Sequence, residues 1–168
     1  MAGIAKTNCI PMPERRQAGL CEVICRMNHS CKANAQYFWD DQKGLEVCYA
    51  IMDIPKGEEI TVCYSEITSG RPLRHDVHIQ HGFNCQCKAC TTSSPEQLAQ
   101  SDKNREELCE IIDETPTLLQ TNGTIAIKRA KRSLELIKIE ELFGLAPAQY
   151  YDGFQVAVAW GDQASAKA

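Results

Sequence analysis

Apolar and polar residues alternate with a period of two in the first half of the chain. Leu45, Val47, Tyr49 and Ile51 are interleaved with Glu46, Cys48 and Ala50, and Ile60, Val62 and Tyr64 repeat the pattern. Such alternation predicts strands. The aromatic stretch 34–39 lies just upstream, and Asp40-Asp41-Gln42-Lys43-Gly44 is turn chemistry, so 34–51 predicts a hairpin. Pro55-Lys56-Gly57-Glu58-Glu59 breaks the run before a third short strand at 60–64.

Beyond residue 93 the period changes to that of a helix. Ser94 is placed to cap a helix with Pro95 at its first position, and Leu108, Ile111 and Ile112 give it an apolar stripe. A second helix is expected over 124–143, with Ala130, Leu134 and Ile137 on one face and Gly144 ending it. A third begins near Pro147, carries Tyr150, Phe154 and Val158 at every fourth position, and ends at Gly161; another starts at Asp162-Gln163-Ala164. Antiparallel helices joined by short loops resemble a helical repeat cut short. The fold class is α+β, with strands and loops first and helices second.

Composition sharpens this picture at one point. The 168 residues are 43% hydrophobic and 24% charged, ordinary values for a globular chain, but ten are cysteine, and nine of those lie in residues 1–90. No basic stretch followed by an apolar core opens the chain, so a reducing compartment, nuclear or cytoplasmic, is expected, where dense cysteine points to metal, catalysis or packing. Charge is balanced in residues 1–90, and the net −4 comes entirely from 91–168. With a pI near 5.6, direct nucleic-acid binding is not expected, nor is a membrane partner. Lys128, Arg129, Lys131 and Arg132 form a short basic run, read as a solvated helix face.

Cys85, Cys87 and Cys90 form a C-x-C-x2-C knuckle. Three thiolates this close can converge on one zinc ion, which takes four ligands in a tetrahedron, so a fourth must come from elsewhere. Cys31, in the turn-rich segment Asn28-His29-Ser30-Cys31, is the leading choice. A redox pair stays open, because Cys87 and Cys90 also have C-x-x-C spacing. Cys48, Cys63 and Cys109 fall inside regular patterns and read as packing, as do Cys9, Cys21 and Cys25. His75, His78 and His81 precede the knuckle and read as a polar helix or loop face.

These motifs together resemble the SET-domain protein lysine methyltransferases. Arg26-Met27-Asn28-His29-Ser30-Cys31 is similar to the family's Asn-His-Ser-Cys signature, Gly57-Glu58-Glu59-Ile60-Thr61-Val62-Cys63-Tyr64 to its second signature ending in tyrosine, and Phe83 to Cys90 to the post-SET zinc knuckle. The helical region that follows is similar to that of the split-SET, Smyd-like and fungal branch. The resemblance implies a C-terminal SET part at 1–69 with a knot-like core, a post-SET knuckle at 70–92, and a truncated TPR-like region at 93–168. It implies S-adenosylmethionine as cofactor, with Asn28, His29 and Phe83 at its pocket or the lysine channel. Tyr64 would be the catalytic residue, and Cys31, Cys85, Cys87 and Cys90 the ligands of a structural zinc. The partner would be a protein substrate with a target lysine, histone or otherwise. Residues 1–27 contain no Gly-x-Gly cofactor turn, although Thr7-Asn8-Cys9-Ile10-Pro11 resembles the stretch just upstream of the second SET half. The chain is therefore expected to be a fragment without the Gly-x-Gly half, inactive alone or working with another chain. The alternative is a non-catalytic, zinc-stabilised protein-interaction module.

Overall fold

The computed structural model describes residues 8–12, 17–91 and 94–167. Thr7 and the linker residues Thr92 and Ser93 lie outside them. Among the described residues six short strands come first: β1 (Ile10–Met12), β2 (Gln17–Gly19), β3 (Asn28–His29), β4 (Ala35–Asp40), β5 (Leu45–Ala50) and β6 (Thr61–Val62). Helices follow: α1 (Arg71–Gln80), the single turn α2 (Lys88–Thr91), the long α3 (Pro95–Thr121), α4 (Gly123–Glu140), α5 (Ala146–Ala159) and α6 (Gln163–Ala166).

The expected hairpin is present. β4 and β5 pair antiparallel from Ala35 opposite Ala50 to Asp40 opposite Leu45. Its turn is closed by Asp40, whose carboxylate accepts from the Lys43 amide at 3.0 Å and whose carbonyl accepts from Gly44 at 2.8 Å. Gly44 has φ +65°, a left-handed conformation that costs glycine little. The alternation along β5 does not sort into a buried and an exposed face. Leu45 and Tyr49 are exposed, because a two-stranded ribbon has too little area to cover either face.

The third strand differs from its sequence pattern. Only Thr61–Val62 is regular, and it pairs parallel with β3, Asn28 opposite Thr61 and His29 opposite Val62, rather than extending the hairpin. Asn34 is the reason. Its buried amide oxygen accepts from the Thr61 N–H at 2.8 Å and its nitrogen donates to the Glu59 carbonyl at 2.9 Å, so it takes the place of a strand partner.

The main core lies between α3 and α4. Leu108, Ile111, Leu136, Ile137 and Leu142 are fully buried, and Ile67, from the stretch before α1, packs on them. The helices run antiparallel. Ser101 meets Glu140, Glu107 meets Arg132 and Glu114 meets Arg129, so partner numbers fall on one helix as they rise on the other. α3 starts with a capping box, Ser94 accepting from the Gln97 amide while the Gln97 side chain accepts from the Ser94 amide. α4 stops before Gly144. Glu141 adopts the left-handed conformation (φ 58°), and the Leu142 amide bonds back to the Ile137 carbonyl at 2.9 Å. This is a Schellman end; burying Leu142 offsets the strain of a non-glycine residue there. Gly144 sits instead in a 3-10 turn, where a Cβ would collide with Gln36 of β4.

The every-fourth-residue stripe of α5 faces outward. Tyr150, Phe154 and Val158 are exposed, and Gln149, Val156 and Ala157 are buried. Gly153 faces Ala130 of α4, and Gly123 leaves room for the Trp160 ring, into which a Cβ would run. The Trp160 indole N–H donates to the Leu119 carbonyl at 2.8 Å.

Candidate functional site

The loop after β3 carries Cys31, buried completely, into the knuckle. The sulfurs of Cys31, Cys85, Cys87 and Cys90 all lie within 4.8 Å of one another, with Cys31–Cys90 at 3.7 Å and Cys31–Cys85 at 3.9 Å. A zinc tetrathiolate with bonds of ~2.3 Å has sulfur–sulfur edges of about 3.8 Å. The donor set therefore fits a structural zinc with four ligands and no open position. The four thiols hold their protons unequally. Hydrogen bonds from Cys31 and Cys90 hold Cys87 strongly toward thiolate, bonding to Cys87 pushes Cys31 up, and burial pushes Cys85 up to about 12.

Charge around the cluster also suits a zinc tetrathiolate, which carries a net −2. The buried guanidinium groups of Arg74 and Arg105 both act electrostatically on Cys31. Arg105 reaches from α3 to donate to the Cys31 carbonyl at 3.1 Å and to the Ile67 carbonyl. Its Nε lies 3.5 Å from Glu140, an ion pair without a hydrogen bond at that nitrogen. Glu140 is itself held by Asn104 at 2.8 Å and Ser101 at 2.5 Å. No sequence pattern singled out this network, since single buried charges on an amphipathic helix leave no periodic trace.

Beside the cluster lies an open cleft of about 1360 Å³, lined among others by Asn28, His29, Tyr64, His81, Phe83 and Cys87. All four residues expected at the cofactor or catalytic site are thus in one wall system. Asn28 is exposed, and its amide donates to Glu59 at 2.5 Å. Tyr64 is half-buried; its hydroxyl donates to the Met27 carbonyl at 2.5 Å and its ring meets Phe83 edge-on, centroids 6.1 Å apart. Burial raises the Tyr64 pKa, so the phenol stays neutral. Phe83 stacks on His78, which is fully buried rather than part of a polar face. His81, which the sequence reading did not place in the cleft, lies 5.2 Å from the Tyr64 ring.

His29 is bonded on both sides of its ring. Nδ1 accepts from the Tyr64 amide at 3.0 Å, and Nε2 lies 3.4 Å from the Cys31 sulfur. Burial, helped by His78, lowers its pKa to about 4, so the imidazole is neutral near pH 7. A backbone N–H can only donate, so Nδ1 offers its lone pair and the single proton sits on Nε2. His29, His78 and Cys85 also bring ligand atoms within 4.8 Å. The tautomer argues against a second metal there, because coordination through Nε2 would move the proton to Nδ1 and set it against the Tyr64 N–H.

Comparisons with known proteins give a family match over part of the chain. Residues 6–65 match the family model described as SET domain. Over 158 residues the chain is 26% identical to histone-lysine N-methyltransferase set5 of Schizosaccharomyces pombe, covering 93% of this chain and 49% of that protein. It is 33% identical over 97 residues to the SET domain-containing protein SmydA-8 of Drosophila melanogaster, covering 54% of this chain and 21% of the relative. It is also 33% identical over 75 residues to histone-lysine N-methyltransferase SMYD3 of Homo sapiens, covering 44% and 17%. The SET-domain match covers residues 6–65, and the proteins this chain is similar to include histone-lysine N-methyltransferases and SMYD-type proteins. The chain spans about half the length of set5 and about a fifth of the other two.

Proposed function

We propose that this chain forms the lysine-channel side and part of the cofactor cleft of an S-adenosylmethionine-dependent protein-lysine N-methyltransferase. The observation that carries the reading is the meeting of Asn28, His29, Tyr64 and Phe83 in one cleft, inside or beside the SET-matched segment and against the cysteine knuckle. S-adenosylmethionine supplies an electrophilic methyl group on a sulfonium. Asn28 would contact it through its side chain and His29 through its backbone, since both ring nitrogens of His29 are engaged. The incoming lysine must be neutral to react, and its ammonium has a pKa near ~10.4 in water. The aromatic wall of Tyr64 and Phe83 disfavours the charged form. Tyr64 is a neutral phenol pinned to the Met27 carbonyl, so it orients the amine rather than acting as the base. The knuckle, fixed by zinc on Cys31, Cys85, Cys87 and Cys90, would hold Phe83 in place.

The 168 residues contain no Gly-x-Gly turn, so we read the chain as one part of such an enzyme. Calorimetry on the zinc-loaded chain with S-adenosylmethionine tests cofactor binding directly. Methyl transfer is measured in a chain joined to a Gly-x-Gly SET half. There Tyr64→Phe is expected to lower kcat at least about tenfold while costing only about 1 kcal/mol of stability, the bond to the Met27 carbonyl. An unaltered rate would remove Tyr64 from the chemistry. The alternative, a non-catalytic interaction module, draws support from the outward-facing Tyr150, Phe154 and Val158 on α5. Absence of cofactor binding in both the chain and the joined form would favour it.

A further inference from the structure

We infer that His29 couples the zinc centre to Tyr64, so that metal occupancy at the knuckle sets the position of the tyrosine. The inference rests on the zinc reading of the cysteine cluster and deepens it. One imidazole spans the two features. Its Nε2–H points at the Cys31 sulfur at 3.4 Å, and its Nδ1 accepts the Tyr64 amide at 3.0 Å. The ring has little freedom to turn. His78 lies against it with centroids 4.2 Å apart, and Tyr64 and Phe83 are 5.4 Å and 5.9 Å away. On the Tyr64 side the backbone is held at two further points, the parallel pairing of His29 with Val62 and the Ser30 amide bonded to the Val62 carbonyl at 3.0 Å.

An N–H donated to a metal-bound thiolate steadies that thiolate and orients it. His29 is therefore an outer partner of the zinc ligand Cys31 and, through its other nitrogen, a positioning residue for Tyr64. Both jobs depend on one tautomer. The Tyr64 amide demands a lone pair on Nδ1, which puts the proton where the thiolate can use it. Residues 29, 31 and 64 are thereby tied in a chain of two hydrogen bonds.

The two bonds can be cut separately. His29→Gln keeps an N–H donor near the Nε2 position and loses the acceptor for Tyr64. His29→Asn keeps an acceptor near Nδ1 and loses the donor to Cys31. The test uses the full chain with Zn²⁺ or Co²⁺ as probe. Metal affinity is expected to fall about 10- to 100-fold in His29→Asn and to stay within about threefold of wild type in His29→Gln. The thiolate-to-Co²⁺ charge-transfer band should move to lower energy in His29→Asn alone, since an unbonded thiolate gives up its electrons more readily. The Tyr64 amide NMR signal should respond to metal in the wild type and lose that response in His29→Gln. If both variants match the wild type in affinity, band position and amide response, the coupling is refuted and the zinc site stands. If the wild-type chain binds neither ion, the zinc reading itself fails and the coupling falls with it.

Discussion

Asn34 shows how much one side chain can organise. It is buried, lies in no conspicuous motif of its own, and makes hydrogen bonds to both Thr61 and Glu59, fixing β6 beside β3 and so placing Tyr64. Each neutral bond is worth about 1 kcal/mol net, and a group left unsatisfied costs more. Asn34→Ala is expected to destabilise the chain by about 2–4 kcal/mol in urea unfolding. It should also sharpen exchange of the Thr61 amide, measured by hydrogen exchange. Gly123 matters in the opposite way, through what it lacks. Any Cβ there would run into the Trp160 ring. Gly123→Ala, normally favourable in a helix, should instead cost about 1–3 kcal/mol. Adding Trp160→Leu should recover part of that loss, and thermal unfolding of the two variants reads the coupling. Neither residue stands out by type or spacing, because the need for an amide or for an empty position arises from a neighbour far along the chain.

At the level of elements, the helices were the most legible part. Ser94, Pro95 and the Leu108–Ile111 stripe locate α3, because capping and amphipathic spacing are local properties. The outward stripe on α5 was not legible. Tyr150, Phe154 and Val158 have the spacing of a buried face, but the buried face of α5 is instead the one carrying Gln149, Val156 and Ala157, with Gly153 facing Ala130 of α4. α3 and α4 are also clamped at the surface, where Arg132 makes two 2.8 Å bonds to Glu107. Those bonds hold the Glu107 carboxyl below its ordinary value of 4.5. A depressed folded-state pKa stabilises the protein above that value and ceases to do so as pH falls through the folded one. Both side chains are about 40% exposed, so the clamp contributes at most about 1 kcal/mol. Arg132→Ala should therefore cost up to about 1 kcal/mol at pH 7. That difference should fade as pH falls through the lowered folded-state value of the Glu107 carboxyl and shrink at 1 M salt, as chemical unfolding across pH and salt will show.

At the scale of the whole molecule, the helical region and the cysteine knuckle are joined through Arg105. This fully buried guanidinium bonds to the carbonyls of Cys31 and Ile67 and pairs with Glu140. Arg105→Ala is expected to cost about 3–5 kcal/mol, because it strands Glu140 and two carbonyls in the interior. The same substitution should weaken zinc binding as the Cys31 loop loosens, and titration with a zinc chelator alongside thermal unfolding checks both effects. The sequence by itself determined the elements with local causes: the hairpin closed by Asp40 and Gly44, the cap at Ser94, and the C-x-C-x2-C spacing that lets three sulfurs meet. It also named Cys31, Tyr64 and Phe83 through motif order. Only the tertiary structure decided that Cys31 lies within 3.9 Å of Cys85, that His29 bonds to Tyr64 and Cys31 at once, and that Arg105 supports them from α3. Apart from the His29–Cys31 contact, those arrangements join residues 35 to 74 positions apart in the chain, and contacts at that range leave no periodicity along the sequence because they depend on how distant elements pack.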